Sequence, residues 1–275
     1  MSDATHENAR VGVVSVGVAG VLGPDAIARI AAATERAGFH ALWVNDTPGG
    51  DSIAGLRAAA EVTETLRLAT GVIPLDRRPA REVGEALRVA ALPGDRLVLG
   101  IGSGSVSRGA LALVRESITL LRDATPGALL VGALGPKMRE LGSREADGVL
   151  LNWVTPRVGA DQAAEQRELV APRPTRVVAY ARTIVDAAAR ERLEREVSRY
   201  ATAPKYAANF VRLGIDPFAT VLPQPGDDDI RPGVAAFAAA VDEVVLRAIV
   251  PDDDVTSYLD FLEQAAQALE VRGRP

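Results

Sequence analysis

Eight apolar runs, each set off from the next by a polar stretch, constrain this chain of 275 residues more than any other feature. They are "VGVVSVGVAG", "HALWVND", "LRLATGVIPL", "RLVLGIGSGS", "ALLVGALG", "DGVLLNWVTP", "TRVVAYARTIV" and "VDEVVLRAIVP". Each is nearly continuous rather than alternating, which is the pattern of strands buried on both faces of a parallel sheet. Between them lie stretches with helical spacing. Ile27, Ile30, Ala31 and Ala37 share one face, with Gly38 placed to end the helix. Further helices are expected over residues 52–64, 82–92 and 108–124, from Pro136, and in a long polar region running to about Gly214. A last helix carries Val255, Tyr258, Leu259, Leu262 and Leu269, capped from Asp252–Asp254. Repeated β-then-α units imply helices covering a parallel sheet, and eight of them imply closure. The expectation is an α/β chain, a (β/α)₈ TIM barrel forming a single domain over residues 1–275. It includes a flexible tail over 1–9 and a Pro- and Gly-rich loop over 215–233 before strand eight.

In such a barrel the working face lies at the C-terminal ends of the strands. The sequence puts Val18–Gly20, Asn45 and Asp46, Thr70–Ile73, Gly102–Ser105, Ala133–Lys137, Asn152 and Trp153, Tyr180–Arg182 and Val250–Asp252 there. Composition limits what they can do. Cysteine is absent, so thiol catalysis and disulfides are excluded, which fits a cytoplasmic protein. The two histidines, His6 and His40, leave almost nothing for a zinc site or a Ser-His-Asp triad. The net charge is −5 and no basic block occurs, so nucleic acid is not an expected partner. No apolar run reaches about 18 residues, so no membrane span is expected.

Four stretches carry candidate chemistry, each beside a plainer reading. In "GALGPK", Gly132, Ala133, Leu134 and Gly135 lead into Pro136 and Lys137 at a helix start. Pro136 removes an N–H that has no helical partner, and the helix N-terminus favours an anion. The same letters also describe a tight βα turn. "GIGSGS", with Gly102, Ser103 and Gly104, lacks the full dinucleotide fingerprint and sits on the fourth strand rather than the first. Its glycines thin the strand end so that a flat ring can lie against the mouth. "WVNDTPGGD" supplies Asn45 and Asp46, the latter an acid, base or polar anchor, or simply good turn chemistry. In "ATGVIPL", Thr70, Gly71 and Val72 mark a bulge, needed either for a ligand or to bend the barrel closed. Trp43 and Trp153 lie in apolar strands and read as core.

Together, "ERAGFHALWVND", "LRLATGVIPLDRRP", "LPGDRLVLGIGSGS", "VRESITLLRD", "GALGPKMRELGSREADGVLLNWVTP" and "VDEVVLRAIVP" resemble the luciferase-like monooxygenase superfamily across nearly the whole chain. They are most similar to its coenzyme F420-dependent members of the methylenetetrahydromethanopterin reductase type. The resemblance implies coenzyme F420 or FMN, with the ring over the barrel mouth and the phosphate near "GALGPK". On that basis Asn45, Asp46, Thr70, Gly71, Val72, Gly102, Ser103, Gly104, Gly132, Ala133, Leu134, Gly135, Pro136, Lys137 and Asn152 become cofactor candidates, with Asp46 the catalytic one. It also aligns Gly71–Val72 with a non-prolyl cis peptide found in many deazaflavin relatives. A homodimer and a small-molecule substrate are implied as well. Two departures stand out: Thr47 replaces the histidine, and Ser105 the glutamate, of the sugar-phosphate-oxidising relatives. The short segment between "GSGS" and strand five, where relatives carry longer insertions, predicts an open mouth.

The leading functional expectation is an oxidoreductase moving a hydride to or from a deazaflavin or flavin. A relative that binds a ligand or partner without turnover is the alternative, and a barrel lyase or isomerase acting on a phosphorylated substrate is a third.

Overall fold

A computed structural model describes residues 12–125 and 127–271, so the tail expected over 1–9, with His6, lies outside the described residues. The barrel strands are β1 (Val13–Ala19), β2 (Ala41–Asn45), β3 (Arg67–Thr70), β4 (Leu97–Gly102), β5 (Ala128–Gly132), β6 (Gly148–Asn152), β7 (Arg176–Thr183) and β8 (Glu243–Ala248). Each pairs in parallel with the next, and β8 pairs with both β7 and β1, which closes the ring. The expected (β/α)₈ barrel is the observed fold. Two short pieces extend it: Ile73–Pro74 continues β3 past a bulge to pair with β4, and Val221–Leu222 pairs with the end of β7.

The helices follow from local chemistry. The first, Pro24–Ala37, opens on a proline, buries Ile27, Ile30, Ala31 and Thr34 on one stripe, and ends at Gly38 with φ 89°. Asp51, Thr155 and Asp254 each accept backbone N–H groups at the start of Ser52–Ala60, Pro156–Val170 and Val255–Ala268. The helix Pro156–Val170 and a further one, Arg231–Ala240, are absent from the sequence expectation. The polar region after β7 is two helices, Arg190–Thr202 and Pro204–Leu213, divided at Pro204 and ended at Gly214. Segment 215–233 is not a plain loop. It holds a 3₁₀ turn at Pro217–Thr220, the short strand at Val221 and the first turn of Arg231–Ala240.

Alternation sends two sets of side chains in opposite directions. Outward residues pack under the helices in one large apolar cluster. Inward residues, among them Trp43, Val98, Leu130, Leu150, Val178, Tyr180 and Val245, fill the barrel itself. Below them, at the N-terminal end, Glu243 is fully buried. It accepts from Ser15 Oγ at 2.5 Å and Trp43 Nε1 at 2.6 Å, and pairs with Arg176. Arg176 in turn lies 3.4 Å from His40 Nε2. A buried carboxylate is tolerable only with its lone pairs occupied in this way.

Candidate active site at the barrel mouth

The bulge after β3 shapes the mouth. Gly71–Val72 is a cis peptide, at the position the sequence resemblance singled out. Asn45 Nδ2 donates to the Gly71 carbonyl at 2.8 Å, and the Tyr180 hydroxyl donates to Asn45 Oδ1 at 3.3 Å. Position 71 must be glycine, since a Cβ there would run into the Tyr180 hydroxyl. Burial pushes the Tyr180 phenol above its ordinary pKa, so it stays a neutral donor. Val72 then turns over β4 and β5. A Cβ on Gly102 would stand 2.9 Å, and one on Gly132 3.2 Å, from its methyl groups. The sequence expectation has these glycines thin the strand end for a flat ring, and in the structure the room they leave is filled by Val72, whose apolar side chain takes that place. Thr70 lies beneath this surface, fully buried, exchanging two hydrogen bonds with the Gly100 backbone at 2.8 and 2.9 Å.

Asp46, at the end of β2, is held on every side. Its carboxylate accepts from Ser52 Oγ at 2.8 Å and from Arg77 at 2.9 Å, with Arg78 at 3.5 Å, and its side chain is 6% exposed. This geometry is that of an anchor joining β2, the helix at Ser52 and the loop after β3. Next to it, the Thr47 hydroxyl is buried without a hydrogen-bond partner.

The β4 loop owes its glycine to a residue that sequence reasoning missed. Gly104 has φ 59°, and a Cβ there would overlap the Asp76 carboxylate. Asp76 accepts from the Ser105 N–H at 2.8 Å and from the Ser105 hydroxyl. Burial opposes ionisation of Asp76, but these bonds outweigh it and hold the carboxyl below its usual pKa. Lys205, from the helix Pro204–Leu213, donates to the carbonyls of Gly104 at 3.0 Å and Val106 at 2.7 Å. Arg212 on the same helix donates to the Leu134 carbonyl at 2.7 Å. The expected open mouth is thus bridged on its β4–β5 side by this helix, supplied by the insertion after β7.

In the β5 loop, Ala133 is buried and its N–H continues the ladder to Leu150 at 3.0 Å. No side chain caps the helix Pro136–Glu145, and a Cβ on its N-cap, Gly135, would meet nothing within 4 Å. Pro136 and Lys137 are exposed. Arg139, 4% exposed, pairs with Glu165 at 3.0 Å and donates to Leu134, leaving its Nε without a partner. Burial and the charge of Arg139 hold the Arg212 guanidinium below its ordinary pKa, so this corner is electropositive.

Across the mouth stand Asn152, Trp153, Arg182 and Arg247. Arg182 donates to Asn152, pairs with Glu196 at 3.0 Å and lies 3.8 Å above the Trp153 ring. Burial works against the Glu196 charge, but Arg182, then Arg247, overcome it and keep the carboxyl below its usual pKa. Trp153 is fully buried against Tyr200 and Phe210, and its Nε1 has no partner. Among the described residues no helix is long and apolar enough to cross a membrane, and no group of three or more His, Cys, Asp or Glu residues could hold a metal ion.

A flavin-type cofactor fits this end of the barrel on the chain's own evidence. Thr47 Oγ1, Arg139 Nε and Trp153 Nε1 are buried polar atoms left unpaired there. Val72 gives an apolar seat, and Gly135 leaves open space at an uncapped helix start.

Comparisons with known proteins point the same way. Residues 10–109 match the luciferase-like monooxygenase family. The 5,10-methylenetetrahydromethanopterin reductase of Methanolobus tindarius is 27% identical over 235 residues, 70% of this chain and 72% of the reductase. Two solved structures share the fold. The coenzyme F420-dependent tetrahydromethanopterin reductase of Methanopyrus kandleri aligns over 94% of this chain and 98% of its own, with TM-score 0.65 and 15% identity. The oxygenating constituent of 3,6-diketocamphane monooxygenase from Pseudomonas putida, in complex with FMN, aligns over 93% and 98%, with TM-score 0.62 and 14% identity. Over residues 10–109 the chain is thus similar in sequence to the luciferase-like monooxygenase family, and its fold is shared with a coenzyme F420-dependent reductase and with a monooxygenase solved in complex with FMN.

Proposed function

We propose that this protein is an oxidoreductase that binds coenzyme F420 or FMN at the C-terminal mouth of its barrel and acts on a small organic substrate. The observation that carries the reading is the pairing of an apolar seat at Val72 with an open, uncapped helix start at Gly135, two loops that offer one place for a ring and one for a phosphate tail. The cofactor, when bound, supplies the hydride chemistry. The chain's residues bind, orient and shield. Gly71 and Val72 form the seat, and Asn45 and Tyr180 hold it from below. Gly102 and Gly132 admit Val72, while Ser103 and Gly104 follow on the β4 loop and Asn152 faces the seat from across the mouth. In the stretch Ala133–Lys137 the N–H groups of Leu134, Gly135 and Lys137, the helix dipole and the Lys137 charge hold the phosphate, while Pro136 sets the helix start and Ala133 stays in the ladder to Leu150. Thr47 supplies a hydroxyl free to reach a bound ligand.

Asp46 contributes as the anchor that sets Asn45 and Thr47 at the rim, because its carboxylate is already committed to Ser52, Arg77 and Arg78. We read the cytoplasmic location and the homodimer implied by the resemblance as part of the same proposal, and light scattering checks the second. No observation in the structure favours a non-catalytic role. Titration with FMN and coenzyme F420 in parallel, followed by absorbance and melting temperature, tests the function. Saturable binding of one of them supports it, and a colourless protein with an unmoved melting temperature overturns it.

A further inference from the structure

Arg182 and Arg247 are register partners on β7 and β8. Alternation turns both toward the barrel axis, since Tyr180 two residues before Arg182 and Val245 two residues before Arg247 belong to the interior cluster. Two guanidiniums on adjacent strands, about 4.8 Å apart at the backbone, repel one another. One carboxylate answers them: Glu196 pairs with Arg182, their side chains 18% and 6% exposed. Arg247 takes part in none of the ion pairs formed among the described residues. It donates to the neighbouring Ala248 carbonyl and hydrogen-bonds Tyr258; burial opposes its charge, but Tyr258 and Glu196 outweigh this and hold the guanidinium above its ordinary pKa. Two guanidiniums thus share one carboxylate, and the net positive charge that remains, in a partly buried position, favours an anion beside it.

The placement says which anion. In a closed ring of eight, β7 stands opposite β3 and β8 opposite β4. The Val72 seat, at β3 and β4, lies on the far side, and the Gly135 cradle, after β5, stands two strands from β7 and three from β8, so the two arginines face the part of the mouth that the cofactor leaves to the substrate. Trp153 stacks on one face of the Arg182 guanidinium at 3.8 Å and Asn152 accepts from it, which fixes its plane. We infer that Arg247, with Arg182 beside it, is a subsite for the anionic group of the substrate, so that the substrate is a small organic carboxylate, sulfonate or phosphate. This deepens the proposed function and rests on reading the mouth as the cofactor site.

The test uses benzoate, benzenesulfonate and phenyl phosphate against the neutral benzamide and benzyl alcohol, titrated calorimetrically into the full-length protein. At least one anion is expected to bind, with its neutral counterparts weaker by about tenfold or more. Arg247→Gln is expected to lower that anion's affinity roughly ten- to a hundredfold, the range for a lost charged hydrogen bond, and Arg247→Lys to restore part of it. Circular dichroism confirms that both variants fold. Equal binding of anions and neutral analogues, no binding of any anion, or an Arg247→Gln variant that binds like wild type would each overturn the inference. So would a loss of FMN or F420 affinity in Arg247→Gln with anion binding intact, because the arginine would then serve the cofactor. If anions bind as expected but neither cofactor does, the anion subsite stands and the oxidoreductase reading fails.

Discussion

The two ends of the barrel handle buried polarity in opposite ways. At the N-terminal end Glu243 is enclosed, and Ser15, Trp43 and Arg176 satisfy it. At the C-terminal end Thr47, Arg139 and Trp153 each keep a buried polar atom without a partner, and Arg182 and Arg247 share the one carboxylate of Glu196. The same fold, with the same alternation, satisfies a buried carboxylate at one end and leaves three buried polar atoms unpaired at the other, while Ser143, Gln166 and Thr175 keep unpaired atoms away from the mouth. Unmet hydrogen-bonding capacity costs free energy, and at the mouth it coincides with an apolar seat and an open helix start, where a ligand completes the structure.

The sharpest way to break this comparison is at the closed end. Glu243→Ala should destabilise the fold by about 3–5 kcal/mol, because Arg176 would be left as a partly buried charge without its carboxylate. Chemical denaturation measures it, and a loss below 1 kcal/mol would mean the plug is no more than a surface pair. Gly104→Ala should follow, at about 1–2 kcal/mol for a left-handed backbone carrying a side chain, plus the clash with Asp76. Adding Asp76→Ala should recover the part due to the clash, and a double variant no better than the single would show that the backbone alone sets the cost.

The open end should respond differently. Gly135→Val should cost stability no more than about 1 kcal/mol, the difference between glycine and valine at an N-cap, since its Cβ meets nothing within 4 Å. Its cofactor affinity should fall about tenfold, equivalent to roughly 1.4 kcal/mol. An unchanged affinity would reduce the loop to a connection. The smallest effect concerns pH. Asp76 has a folded pKa below its unfolded one, so its contribution is fully present above the unfolded value and is lost as pH falls through the depressed one, below about pH 4. Because Asp76 is largely exposed, solvent screening keeps this effect slight. Hydrogen exchange of residues 103–106 in acid should rise in wild type and already be raised at neutral pH in Asp76→Asn.

The strands were legible because both faces are buried. "RLVLGIGSGS" and "DGVLLNWVTP" have too few polar positions to be anything else, and their order implies closure. The helix Pro156–Val170 escaped because its buried stripe uses Gly159, Gln162, Ala163 and Gln166, which carry little hydrophobic signal. Arg231–Ala240 escaped because it opens on Pro-Gly, read as a loop. In the site, the glycines were visible but their reasons were not. Gly71 makes way for Tyr180, Gly102 and Gly132 for Val72, and Gly104 for Asp76, all contacts between segments distant in sequence or brought together by the bulge. For Asp46 the sequence leaves acid, base, polar anchor and turn chemistry open, and only the fold shows Arg77 and Arg78 beside it. Arg247 could have been found from alternation, since it stands two residues past Val245 on a strand whose inward positions are odd-numbered.

The account's central claim is that one end of the barrel is built to hold and the other to bind. Hydrogen exchange with and without saturating FMN or coenzyme F420, compared peptide by peptide, tests it most directly. Protection is expected over residues 71–73, 102–106 and 132–138, with no change over 13–15, 40–43 and 176–178. Protection at the Glu243 end, or no protection at the mouth with either cofactor, would contradict it.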